Sequence, residues 1–140
     1  MSKKRSVARL LEDLRFFLDR SLGVSPIREA LESENLRVEI HDDHFAKDEK
    51  DEVWLAEVAR RDWVILTKDQ RFRYRPLEKA SLENSGARVF VLTAGKLRGE
   101  DIAAIFVHAV PAMLQRIRDT PKPFLAYVSR NGRVRVEKLQ

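Results

Sequence analysis

No cysteine occurs among the 140 residues. A disulfide framework and a thiolate zinc site are therefore excluded, and nothing calls for an oxidising compartment, so the cytoplasm is the expected location. Glycine and proline number only five each and gather into no linker. Without repeats or low-complexity tracts either, residues 1–140 read as a single domain. Long apolar runs are also missing. The N-terminal stretch MSKKRSVARLLEDLRFF is basic but lacks the unbroken apolar segment of a signal peptide, and no run reaches membrane-spanning length. Neither export nor membrane attachment is expected.

What is present is a mixture of 44% hydrophobic and 35% charged residues, enough apolar mass for a core and enough charge for a solvated surface. The net charge of +5 is unevenly spread. Residues 1–40 carry 8 basic and 7 acidic groups, residues 41–70 carry 5 and 9, and residues 71–140 carry 14 and 6. An acidic middle beside a basic C-terminal half suits a protein that holds a cation with one region and a polyanion with the other.

Strand and helix signals alternate. Arg15 to Asp19 is an apolar run ending in an acid, and Ser25-Pro26 read as N-cap and first residue of a helix from Ile27 to about Glu34. Leu36–Ile40 alternates as a strand does, and His41-Asp42-Asp43-His44 reads as a polar loop after it. Asp51–Arg61 places Trp54, Leu55, Val58 and Ala59 on one helical stripe. Trp63–Thr67 is continuously apolar up to its threonine, the pattern of a strand covered on both faces. A helix at Pro76–Leu82, a strand at Arg88–Leu92 and a long amphipathic helix over Gly99–Arg118 follow, with Pro111 expected to kink or divide the last. Phe124–Val128 and Arg133–Glu137 flank Asn131-Gly132, predicting a terminal hairpin at about 123–138. The alternation implies a three-layer α/β/α sandwich with a mainly parallel sheet, whose functional crevice lies beyond the carboxyl ends of its strands.

Two acids stand at such ends. Asp19 closes the first strand run and Asp69 follows the third by two residues, where an ionised carboxylate is costly unless paired or metal-bound. Helical phase directs Asp51 toward the sheet with Leu55 and Val58, and leaves Glu52 about 100° round at the margin. Taken alone, either helical acid reads as a cap rather than a ligand, since acids in a first helical turn are favoured by the dipole and by capping. Together, Asp19, Asp51 and Asp69 offer hard oxygen ligands suited to Mg²⁺ or Mn²⁺, with Glu52 and Asp43 as supplementary ligands and Asp42 and Asp48 as weaker ones. The chemistry natural to such a set is phosphodiester hydrolysis. Lys68, Arg71, Arg73 and Arg75, interleaved with Phe72 and Tyr74, suit single-stranded RNA, with Arg20 as a further basic contact.

At Phe17-Leu18-Asp19 with Leu22-Gly23, at Asp51 to Leu55, and at Ile65-Leu66-Thr67-Lys68-Asp69-Gln70-Arg71-Phe72, the sequence resembles the PIN-like nuclease family, in the branch that includes VapC-type toxins. The ordered set covers about residues 15–95. The resemblance implies a PIN-like α/β/α sandwich and Mg²⁺- or Mn²⁺-dependent endoribonuclease activity, with Asp19, Asp51, Asp69 and Thr67 in the catalytic set. It also implies RNA and a small antitoxin protein as partners, a homodimer being a further candidate assembly. One departure stands out: related sequences commonly carry an acid at the position of Arg71. Two other readings compete. A non-catalytic RNA-binding or regulatory PIN-like protein would bind RNA without cleaving it, and a two-component receiver domain would need a phosphoacceptor Asp directly at the end of the third strand, where Thr67-Lys68 intervenes.

Overall fold

The four inner strands of the sheet alternate their apolar side chains between two separate cores, which is why helices cover both faces. The computed structural model describes residues 13–137; the N-terminal basic stretch and position 138 of the expected hairpin lie outside the described residues. Six strands, β1 (Arg15–Leu18), β2 (Arg37–Ile40), β3 (Val64–Thr67), β4 (Arg88–Leu92), β5 (Phe124–Val128) and β6 (Val134–Glu137), form one sheet in the order β2-β1-β3-β4-β5-β6. All neighbours are parallel except β5 and β6. This is the expected three-layer α/β/α sandwich with a mainly parallel sheet and a C-terminal hairpin.

Phe16, Leu18, Val64, Leu66, Phe90 and Leu92 point to one face, where they meet Ile27 and Leu31 of α1 (Ile27–Glu32) and the apolar stripe of α6 (Gly99–Asp119). Phe17, Ile65, Val89, Val91 and Leu125 point to the other, against Trp54, Leu55 and Val58 of α3 (Asp51–Arg60), Phe72 of the helical turn α4 (Arg71–Tyr74) and Leu82 of α5 (Pro76–Ser85). Burying each large side chain of this kind stabilises the fold by roughly 1.5–3 kcal/mol. Among the described residues no helix is long and apolar enough to cross a membrane.

The chain leaves β1 for the edge strand β2 and then returns across β1 to β3. The strand order therefore reverses between β1 and β3, and a crevice opens at their carboxyl ends.

Several local expectations are corrected. The first helix stops at Glu32, and Ser25 does not cap it: its hydroxyl donates to the Glu29 carboxylate at 2.9 Å, and Pro26 precedes the helix. His41–His44 is a helical turn, α2, not a loop, because His41 is buried beside Phe17, Phe45 and Trp54 with ring centroids at 5.5–6.1 Å. Pro111 does not divide α6; it lies on the exposed side, where the carbonyl that lacks an N–H partner can be solvated. The terminal hairpin closes through three residues, Arg130 to Gly132, with Ser129 N–H donating to Arg133 O at 2.9 Å and Gly132 at φ +81°. Glycine is needed there to adopt the left-handed conformation that lets a three-residue loop rejoin the ladder.

Candidate functional site

The first acid is set by the sheet itself. The Asp19 N–H donates to Leu66 O at 3.1 Å, extending the β1–β3 ladder by one residue and fixing the carboxylate at the reversal point. Asp19 is only 8% exposed. An ionised group so placed needs donors, and it has two: Ser21 Oγ at 3.0 Å and Thr67 Oγ1 at 2.5 Å, both to Oδ2.

Thr67 then connects the two strand ends. Its hydroxyl donates to Asp19 and accepts the Asp69 N–H at 3.0 Å, while Ser21 Oγ accepts the Lys68 N–H at 3.1 Å. Gln70 holds the loop from beneath, donating to Lys68 O and Leu92 O, both at 2.8 Å. Asp69 is thereby presented beside Asp19 without being covalently near it.

Asp51 arrives from the first turn of α3, with Trp54, Leu55 and Val58 buried below it and Glu52 exposed beside it. The buried indole of Trp54 donates to Asp51 Oδ1 at 2.9 Å, as a desolvated N–H requires. Its other oxygen meets Arg71. Arg71 Nη2 lies 3.0 Å from Asp51 Oδ2 and 2.5 Å from Asp69 Oδ2, and Nε lies 3.0 and 2.9 Å from the two Asp69 oxygens. The Arg71 N–H adds a bond of 3.0 Å to Asp69 Oδ1. Asp19, Thr67, Asp69, Arg71 and Asp51 thus form one continuous polar chain across the crevice.

The electrostatics follow from this contact. Burial pushes the Asp69 carboxyl up, but the side-chain and backbone hydrogen bonds from Arg71 outweigh it and hold the group below its ordinary value. The same hydrogen bond raises Arg71. Asp69 is therefore a carboxylate whose charge is already matched.

The oxygen donors are chemically right for a hard divalent cation. Their arrangement is not. Both Asp69 oxygens and one of Asp51 are engaged by a guanidinium, the second Asp51 oxygen serves Trp54, and Asp19 Oδ2 serves two hydroxyls. Among the described residues, no three carboxylates or imidazoles converge closely enough to hold a metal ion. With Arg71 in this position, Mg²⁺ or Mn²⁺ does not fit.

Other expected residues lie apart. Asp43 and Asp48 are exposed, and Glu52 lines an open groove of about 430 Å³ with Lys50, Asp51, Arg71 and Glu78. Arg20 turns to Asp42 at 3.0 Å and to Lys47 O at 3.3 Å. Because Arg71–Tyr74 is a helical turn, the arginines diverge. Arg73 lies over the rings of Tyr74 and Tyr127, 5.0 and 5.3 Å from their centroids, while Arg75 acts on Asp69 through its charge. Phe72 is buried as a core anchor, whereas Tyr74 is 67% exposed. Lys68, Asp69, Arg73, Tyr74 and Lys96 line a second groove of about 540 Å³. Ser21 and Gln70 carry no site signal in the sequence, and Trp54 reads there only as a core residue, although it stands at i+3 from Asp51, a spacing at which helical side chains meet.

Residues 14–94 match the family model described as "PIN like domain". The chain is similar to a Mycobacterium tuberculosis protein named "Putative ribonuclease VapC45", at 30% identity over 132 residues, which cover 91% of this chain and 95% of that protein. No solved structure matches it. The matched segment runs from the residue before β1 to just past β4 and so contains every residue of the polar chain from Asp19 to Arg71. The chain belongs to the PIN-like domain family.

Proposed function

We propose that this protein is an endoribonuclease that hydrolyses RNA phosphodiester bonds with Mg²⁺ or Mn²⁺, and that it is the toxin of a toxin–antitoxin pair with a small antitoxin protein as partner. The observation that carries this reading is the polar chain Asp19–Thr67–Asp69–Arg71–Asp51 at the point where the strand order reverses. The similarity to a protein named as a VapC ribonuclease supports the substrate class.

With Arg71 withdrawn, Asp19, Asp51 and Asp69 would be the metal-binding carboxylates, and Thr67 would position two of them. Lys68 and Arg75 would hold substrate phosphates beside these acids, and exposed Tyr74 offers a face on which a base can stack. The cytoplasm is the compartment in which a chain without cysteine would meet its RNA.

The test is a time course on defined single-stranded RNAs with added Mn²⁺ and with EDTA. Cleavage in the first condition and none in the second is expected. A second reading, RNA binding without cleavage, is favoured by the engagement of Asp69 with Arg71, and intact RNA in both conditions despite measurable binding would establish it.

A further inference from the structure

The donor set of the site and its arrangement disagree, and the one cation in that disagreement is Arg71. Arg71 stands between Asp51 and Asp69 with Nη2 3.0 Å from one and 2.5 Å from the other, and its Nε spans both oxygens of Asp69. A guanidinium in a bidentate fork is the strongest organic competitor for a carboxylate, because it satisfies two lone pairs in one plane and never deprotonates. Among the described residues Arg71 is the one cation within ion-pair distance of Asp51, whose second oxygen takes the neutral N–H of Trp54. Arg71 is also not trapped. Its side chain is 43% exposed, it lines the open groove beside α3, and its backbone is held by Asp69 independently of the guanidinium. The head group can leave while the turn stays in place.

We propose that Arg71 is an internal counter-cation that excludes a divalent ion from Asp51 and Asp69 in the free protein, and that a nucleic-acid phosphate draws it off, so that metal and RNA bind together. This rests on the proposed function, since it concerns the same carboxylates. The two non-bridging oxygens of a phosphodiester present a guanidinium with a pair of acceptors, as the Asp69 carboxylate does, so the exchange keeps Arg71 satisfied. Meanwhile Asp51 and Asp69 are left with uncompensated charge in a half-buried crevice, where a divalent cation becomes the favoured partner. By linkage, each ligand must then strengthen the other by the same factor.

The experiment is calorimetric titration of Mn²⁺ into the full chain, alone and with a saturating single-stranded DNA decamer, which carries the phosphates without the ribose hydroxyl. Tryptophan fluorescence gives a parallel readout, because Trp54 donates to Asp51. Wild type should bind Mn²⁺ weakly alone and at least about tenfold more tightly with the decamer, the scale expected when charge-assisted hydrogen bonds to a competing cation are removed. Arg71→Gln should bind Mn²⁺ tightly without the decamer and gain little from it. Arg71→Lys, which keeps the charge but loses the fork, should lie between them and guards against misfolding of the glutamine variant. Equal Mn²⁺ affinity in wild type and both variants would overturn the proposal, as would a wild-type affinity that the decamer leaves unchanged. A protein that cleaves RNA with Mn²⁺ yet shows either result keeps its proposed activity and loses only this gate; absence of both Mn²⁺ binding and cleavage removes both.

Discussion

Thr67 Oγ1 donates to Asp19 Oδ2 across the β1–β3 seam, and both side chains are almost fully withdrawn from solvent. A hydroxyl in that place does two things at once, since it also accepts the Asp69 N–H. Thr67→Val keeps the shape but leaves a buried carboxylate short of a donor and an amide without an acceptor. Stability should fall by about 1–3 kcal/mol, and cleavage should fall with it as Asp69 loses its register. Thr67→Ser should recover most of both. Urea unfolding beside an RNA cleavage assay reads the two effects, and an unchanged unfolding midpoint in the valine variant would show that the hydroxyl bridge contributes nothing.

Asp51 and Glu52 are adjacent in sequence but unlike in position, one held by Trp54 and Arg71 and the other exposed on the groove rim. Asp51→Ala should remove nearly all cleavage, and Glu52→Ala should leave most of it. Initial rates at saturating Mn²⁺ decide the order. Equal large losses would make Glu52 a ligand in its own right.

The basic residues should separate in the same way. Lys68 and Arg75 are exposed beside the acids, whereas the Arg73 guanidinium lies over Tyr127 and Tyr74. For single strands each phosphate contact contributes about −0.7 to the log–log salt slope. Replacing both Lys68 and Arg75 with Gln should therefore flatten the slope by about 1.4. Arg73→Gln should leave the slope alone and cost roughly 0.5–1 kcal/mol of stability through the lost ring contact. Fluorescence anisotropy across a salt series gives the slopes, and a flattened slope for Arg73→Gln would put that residue on the RNA path after all.

The hairpin supplies a pH test. Tyr127 donates to Glu137 at 2.6 Å, and Lys79 reaches the same carboxylate at 2.9 Å, tying β6 to α5. Burial and then the hydrogen bond to Glu137 push the phenol above its ordinary value; on Glu137 burial acts upward, but the Tyr127 and Lys79 bonds prevail and lower it. A raised phenol contributes stability that is present below its unfolded value of about 10 and lost as pH rises through the folded one. A lowered carboxyl contributes stability that is present above about 4.3 and lost as pH falls through its folded value. Tyr127→Phe should accordingly cost about 1 kcal/mol near neutrality, with the deficit shrinking in strong alkali and in acid. Thermal melts across pH would contradict this if the deficit were constant.

Much of this architecture was legible because burial on two faces writes itself plainly: Val64–Leu66 and Arg88–Leu92 are strands in sequence and in structure. The acids at strand ends and the inward phase of Asp51 were legible for the same reason, since periodicity fixes direction. What the sequence hid depends on partners distant along the chain. Ser21 matters because it meets Thr67, 46 positions on, and His41 is a core residue because Phe17 and Trp54 pack on it. The arginine-aromatic alternation reads as a surface for single-stranded RNA, but Phe72 is drawn into the core and the segment coils into a helical turn. That coil is what turns Arg71 onto Asp69.

The most direct test of the account is Asp19→Asn, because Asp19 sits at the reversal of strand order and its amide counterpart can still accept from Ser21 and Thr67. Circular dichroism and the unfolding midpoint should stay close to wild type, while Mn²⁺-dependent RNA cleavage falls by more than the ~10–100-fold typical of residues that only support a metal ligand. A folded Asp19→Asn protein that cleaves RNA at the wild-type rate would contradict the assignment of this crevice as the catalytic site.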